Sequence, residues 1–112
     1  MDARPGKRAE QRAEWWYRLR GYRVLGANEW VAGYELDLVV RRGRRLIFCE
    51  VKEKAGERFG DPAEMVDAEK QRRLRRAAEA WLAAHPEVSG LSVSFDVIAV
   101  QNGRLQRLAE AF

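Results

Sequence analysis

The sequence predicts an α/β protein with a mixed sheet flanked by helices, in the order α-β-β-β-α-β and ending in a short last element. Three observations carry this. Residues 7–20 repeat their apolar positions at helical spacing. Residues 22–51 and 91–100 are rich in β-branched and apolar residues broken by short turns. Between these β-rich stretches lies a long amphipathic run with an apolar stripe. Helices on the faces of a mixed sheet are the packing that buries all of these surfaces. The length, 112 residues, suits a single domain spanning 1–112.

In the first predicted helix, Ala9, Ala13, Trp16 and Tyr17 recur three and four residues apart, with Arg and Glu between them, and Gly21 is a natural stop. A short strand is expected at 22–25. Gly26-Ala27-Asn28 reads as a turn-like break, and 30–40 as one extended run. Arg41-Arg42-Gly43-Arg44 reads as a polar turn leading into a strand at 45–51, so that 30–40 and 45–51 form a hairpin. A loop over 54–60 precedes Asp61-Pro62, a good helix opening. The helix then runs, in one piece or two, to about Ala84, with Leu74, Ala77, Ala78, Trp81 and Leu82 as its stripe and His85-Pro86 as its end. Residues 91–100 alternate Val93, Phe95 and Val97, and Asn102-Gly103 marks a tight turn. Leu105, Leu108 and Phe112 in the tail fit a short strand or helical turn against the core.

Composition narrows the function classes. Hydrophobic residues make up 46% of the chain and charged residues 34%, so a real core is wrapped in a densely charged surface. The net charge of +4 suits a polyanionic partner such as nucleic acid. The lone Cys49 rules out an intrachain disulfide, fits a reducing cytoplasmic setting and sits in an apolar run as a packing residue. No apolar run has membrane-spanning length, and the first residues carry no hydrophobic stretch, so no membrane association is expected. With a single His, any metal must be held mainly by carboxylates, which favours Mg²⁺ or Mn²⁺ over zinc.

Chemistry concentrates in Glu35-Leu36-Asp37 and, after the turn, Glu50-Val51-Lys52. Strand side chains alternate faces, so Glu35 and Asp37 share one face of their strand, as do Glu50 and Lys52 on theirs. Paired as a hairpin, the strands can bring Asp37 and Glu50 together at one end of the sheet. Charges among Leu, Val, Ile and Phe are costly unless they are paired or bind a metal. Convergent carboxylates suit a hard cation, which activates water and screens phosphate, and a neighbouring Lys can stabilise charge developing at phosphorus. A structural salt-bridge cluster would use the same residue types.

Asp37 followed by Glu50-Val51-Lys52 resembles the PD-(D/E)xK nuclease signature of restriction-endonuclease-like folds. Over nearly the whole chain the sequence is similar to the uncharacterised bacterial YraN-like family, which resembles archaeal Holliday-junction resolvases in fold. The resemblance is carried by Glu10 with Ala13, Gly21-Tyr22, Asn28, Glu35-Leu36-Asp37-Leu38 and Phe48-Cys49-Glu50-Val51-Lys52. It continues through Phe59-Gly60, Pro62, Lys70, Leu74, Phe95-Asp96-Val97 and Ala111-Phe112. Tyr34 and Ala9 stand where that family usually has Gly, and Tyr34 can narrow the cleft. The resemblance implies a metal-dependent nuclease hydrolysing phosphodiester bonds in DNA, including branched or structured DNA. It implies Asp37, Glu50 and the Val51 carbonyl as metal ligands, Lys52 as catalytic lysine, Glu10 as a further carboxylate near a metal or its water, and Glu35 in support.

Lys70 and Arg73, within a run that also holds Arg72, Arg75 and Arg76, are candidate phosphate contacts, as are Arg41 and Arg42 beside Arg44 and Arg45. A solvated charged face is the plainer reading of both runs. Trp15, Trp16, Trp30 and Trp81 read as core or interface residues. Since adjacent Trp15 and Trp16 cannot both be buried by one helix, one of them can serve a homodimer. His85 is expected to cap a helix end, and Asp96 to pair with a cation in the core. Two alternatives to the nuclease are a non-catalytic nucleic-acid-binding module with a degenerate site, and a protein-interaction domain.

Overall fold

A computed structural model describes residues 5–54 and 66–112, with side chains from Arg8 onward. The elements in order are α1 (Pro5–Arg18), β1 (Arg23–Val31), β2 (Tyr34–Arg42), β3 (Arg45–Lys54), α2 (Ala68–Ala83), a 3₁₀ turn (Pro86–Val88), β4 (Ser92–Gln101) and β5 (Arg104–Leu108). The α/β class and the predicted order stand, with the short last element formed as a strand.

The five strands lie in the order β1-β2-β3-β4-β5. All neighbours are antiparallel except β3 and β4, which pair in parallel from Arg45↔Ser92 to Lys54↔Gln101. A parallel pair needs a crossover, and α2 lies within it. Ala9, Ala13 and Tyr17 of α1 pack with Leu38, Val40, Ile47, Cys49 and Ile98 on one face of the sheet. Leu74, Ala77, Ala78 and Trp81 of α2 pack with Leu36, Val39, Leu46, Phe48 and Phe95 on the other. Both faces of β3 are therefore covered, which is why it reads as a continuous apolar run and not as an alternating one. Among the described residues no helix is long and apolar enough to cross a membrane.

Three boundaries differ from expectation. Gly26-Ala27-Asn28 does not break the chain. β1 runs through it by a bulge between Val24 and Gly26 and a left-handed Asn28 (φ 54°), because β2 supplies a continuous ladder to pair with. Residues 30–40 are not one extended run, because Ala32 (φ 52°) and Gly33 (φ 77°) make a two-residue turn that pairs Val31 with Tyr34. Positive φ at both central residues matches the twist of a hairpin, and the small Ala tolerated there hid the turn from the sequence. The next turn is confined to Gly43 and Arg44, since Arg41 and Arg42 still pair with β3. The expected Asp61-Pro62 helix opening, and the loop from 55 onward, lie outside the described residues. α2 as described begins after Asp67, whose side chain accepts the Lys70 N–H at 2.9 Å.

Asp96 ties the C-terminal segment to the core. It is fully buried and accepts from Tyr17 Oη (2.6 Å), Arg107 Nε (2.8 Å) and the Glu110 N–H (3.1 Å). It thus pairs with a cation in the core, as the sequence suggested. Cys49 is buried as a packing residue.

Candidate metal centre

The site forms where two strands stop pairing. The β2–β3 ladder runs from Arg42↔Arg45 to Leu38↔Cys49 and ends there. Beyond it, Tyr34–Leu36 hold to β1, and Glu50–Lys54 hold to β4. β2 also turns over at this point. Leu36 packs on the α2 side, while Leu38 and Val40 pack on the α1 side, although residues two apart on a regular strand share a face. Asp37 sits at the turnover, across from the left-handed Asn28.

With no β2 carbonyl opposite it, the Val51 N–H donates to Asp37 Oδ2 at 2.8 Å. A strand residue directs its N–H and C=O to the same edge, so the Val51 carbonyl also faces the gap between β2 and β3. Glu10 reaches the gap from α1, and Glu35 from β2. One carboxylate oxygen from each of Glu10, Glu35 and Asp37 lies within 4.8 Å of the other two.

Electrostatics make this grouping costly without a counter-ion. Asp37 is only 8% exposed. Burial, then the negative charge of Glu50, push its carboxyl from 3.8 up to about 8; the Val51 N–H opposes the rise, and Glu10 and Glu35 add to it. Glu50, itself buried, has both oxygens engaged: Tyr34 Oη donates to Oε2 at 3.2 Å, and Lys52 Nζ lies 3.2 Å from Oε1. Burial and the adjoining Glu50 carboxylate also raise the Tyr34 phenol, while Arg73 acts in the opposite direction.

The donor set fits a hard divalent cation. All donors are oxygens, and ligands about 2.1–2.4 Å from one ion are at most about 4.8 Å apart; the oxygens of these three carboxylates lie within that limit of one another. The single histidine stands elsewhere. His85 ends α2 as expected, stacked on Trp81 with Nδ1 2.7 Å from the Trp81 carbonyl.

The structure thus brings Glu10, Glu35 and Asp37 together most closely, with Glu50 and Lys52 beside them as a linked pair. Glu35 is a full member of the group, where the sequence suggested a supporting residue. The sequence did not reveal Tyr34 as the partner of Glu50, because the bond crosses between strand segments that no longer pair. Arg73 lies close enough to act on Tyr34 and is ion-paired with Glu69 at 2.7 Å. Lys70 is half-buried in the first turn of α2. Arg41 and Arg42 lie at the far end of β2, about 13–17 Å from Asp37 at a rise of about 3.3 Å per residue. With Gly21, Arg23 and Gly43 they line a shallow cleft of 310 Å³.

The tryptophans divide sharply. Trp81 is core and donates to Glu29 at 2.6 Å, and Trp16 lies between the guanidiniums of Arg20 and Arg107. Trp15 is 62% exposed and Trp30 is 72% exposed, so neither is a core residue, and of the adjacent pair Trp15 and Trp16 it is Trp15 that stays in solvent. Trp15 faces outward because α1 turns Tyr17 and Ala13 to the sheet. Trp30 faces outward because its neighbours Glu29 and Val31 take the covered side of an edge strand.

Comparison with known proteins adds a family. The sequence model of uncharacterised protein family UPF0102 matches residues 9–100. A UPF0102 protein of Frankia casuarinae is 49% identical over 80 residues, covering 71% of this chain and 67% of the relative. One from Symbiobacterium thermophilum is 39% identical over 111 residues, covering 96% and 91%. One from Bartonella bacilliformis is 36% identical over 107 residues, covering 96% and 86%.

Proposed function

The chain belongs to the uncharacterised protein family UPF0102, and within it we propose a nuclease that uses Mg²⁺ or Mn²⁺ to hydrolyse phosphodiester bonds in DNA. The observation that carries this reading is the convergence of Glu10, Glu35 and Asp37 at the β2–β3 splay, where the negative charge of Glu50, the ion-pair partner of Lys52, also acts on Asp37. The resemblance of Asp37 and Glu50-Val51-Lys52 to the restriction-endonuclease-like signature, and through it to archaeal junction resolvases, supports the same conclusion.

Asp37, Glu10 and Glu35 would hold the cation, with the Val51 carbonyl and Glu50 as further oxygens at the same gap. When bound, such a cation supplies Lewis-acid charge to a phosphate oxygen and lowers the pKa of water. The Val51 N–H fixes one oxygen of Asp37 and leaves the other to the gap. Lys52, ion-paired with Glu50, would stabilise charge on the phosphate being attacked. Arg73, which acts on Tyr34, and Lys70 on the same helix would hold the flanking backbone, and Arg41 and Arg42 would take phosphates farther along.

The test is cleavage of junction, flap, single-stranded and duplex DNA by the purified chain with Mg²⁺ or Mn²⁺. Wild type is expected to cut at least one of these, and Asp37→Ala to cut none. Equal cutting by the two sinks the assignment. Salt-sensitive binding without turnover under any metal would instead select the non-catalytic binding module.

A further inference from the structure

We infer that Trp30 is a stacking platform for an unpaired nucleobase next to the carboxylate cluster, so that the DNA this site takes is unpaired at that position. This rests on the nuclease reading above and names its substrate class. Trp30 is the direct ladder partner of Glu35. Directly opposed residues on an antiparallel pair share a face, with Cβ atoms about 5 Å apart. The indole therefore stands on the same side of the sheet as Glu35, whose carboxylate joins those of Glu10 and Asp37.

Alternation on an edge strand turns its indole outward, and nothing among the described residues covers it. Tryptophan is rarely left in water, yet this one is 72% exposed while its neighbours Glu29 and Val31 are packed on the α2 side. It stands two residues before the tight Ala32-Gly33 turn, near the tip of the β1–β2 hairpin. A rigid aromatic near a hairpin tip, one side chain from a cation site, matches the geometry of a nucleotide. With a cation held by the carboxylates, a phosphate would sit at the cluster and the base would lie on the neighbouring apolar surface. A base inside a duplex has both faces stacked already, so only an unstacked base can use the platform.

A second copy of the chain is the other occupant for an apolar edge residue. The edge itself argues against it. β1 carries a bulge at Val24/Gly26 and a left-handed Asn28, which keep it from presenting a straight row of free backbone groups. The acidic cluster beside Trp30 would also face its own image across a two-fold contact.

The test uses the full chain carrying Asp37→Asn, so that bound DNA is not cut, and fluorescence anisotropy with a labelled single strand and with a blunt duplex. Adding Trp30→Ala is expected to weaken single-strand binding about 5- to 100-fold, with Trp30→Phe retaining most of it. Duplex binding should stay unchanged, as should both substrates with the equally exposed Trp15→Ala. A single-strand loss below about twofold, or an equal loss on duplex, overturns the platform and leaves the nuclease reading standing. Dissociation of a dimer by Trp30→Ala overturns it in favour of self-association. If the parent binds no DNA at low salt, the nuclease reading fails and takes the platform with it.

Discussion

Replacing Asp37 by Asn should stabilise the metal-free protein, and the gain should grow with pH. The folded state holds the Asp37 carboxyl at about 8, against 3.8 when solvated. A carboxyl with a raised folded value contributes its full stability below the unfolded value and loses it as pH rises through the folded one. The cost of Asp37 therefore accumulates between about pH 4 and pH 8. At about 1.4 kcal/mol per pH unit, its ceiling is roughly 6 kcal/mol. Burial is the largest cause of the shift, and water entering the gap when Asp37 ionises relieves part of it, so about 2–3 kcal/mol should survive. Asn keeps an acceptor for the Val51 N–H and removes the charge. Thermal unfolding in EDTA should thus show Asn above wild type by roughly 6–15 °C at pH 8.5, and by much less at pH 5. A divalent cation should close the gap at about a hundred times its Kd, where wild type gains about 2.7 kcal/mol, and reverse the order at about a thousand times, where it gains about 4.1 kcal/mol. An Asn variant less stable than wild type at pH 8.5 in EDTA, or a wild-type Tm that ignores Mg²⁺ and Mn²⁺, refutes the argument.

Other expectations follow from single contacts. Lys52→Ala should lower single-turnover cleavage by about 10²–10³-fold, while cation-induced protection against unfolding persists. Asp96→Ala strands the Arg107 guanidinium, the Tyr17 hydroxyl and the Glu110 N–H, and should cost about 3–5 kcal/mol in urea unfolding; a loss under about 1 kcal/mol would mean that water replaces the carboxylate. Ala32→Asn should raise stability by about 0.5–1 kcal/mol, because Asn accepts the left-handed backbone better than Ala; destabilisation would deny the tight turn.

What the sequence revealed and what it hid have one physical cause. The sequence showed α1 by periodicity, because one face of it is buried, and β3 and β4 by their continuous apolar runs, because both of their faces are covered. β1 and β2 were misread because their boundaries depend on backbone conformations that residue type only weakly specifies. Ala32 takes a left-handed φ without being Gly, and Gly26 with Asn28 absorbs a bulge instead of ending a strand. The site shows the same division. Alternation placed Glu35 with Asp37 and Glu50 with Lys52, and those neighbours are close in space. The contact of Glu10 with the strand carboxylates crosses from helix to sheet, and only the family resemblance suggested it. The Tyr34–Glu50 hydrogen bond needs the strands to have parted, which no local pattern encodes.

That parting of β2 and β3 explains why the carboxylates and the strained backbone coincide. If the ladder continued past Leu38↔Cys49, the Val51 N–H would take a β2 carbonyl, and Asp37 would be one more strand residue with its charge directed into a packed face. Because the ladder stops, Asp37 replaces that carbonyl as acceptor, and β2 turns over to seat Leu36 on the α2 side. The left-handed Asn28 across from Asp37 then lets β1 follow the turnover without losing its own pairing. Each departure from regular sheet geometry here compensates for another, and the sum is a gap lined by oxygens at the edge of a covered core. A cluster of surface salt bridges would need none of these departures, since exposed ion pairs form on regular strands at little cost. The backbone at Asp37 is thus arranged around a group of carboxylates with Asp37 buried at its centre, and a bound cation would make such a group favourable.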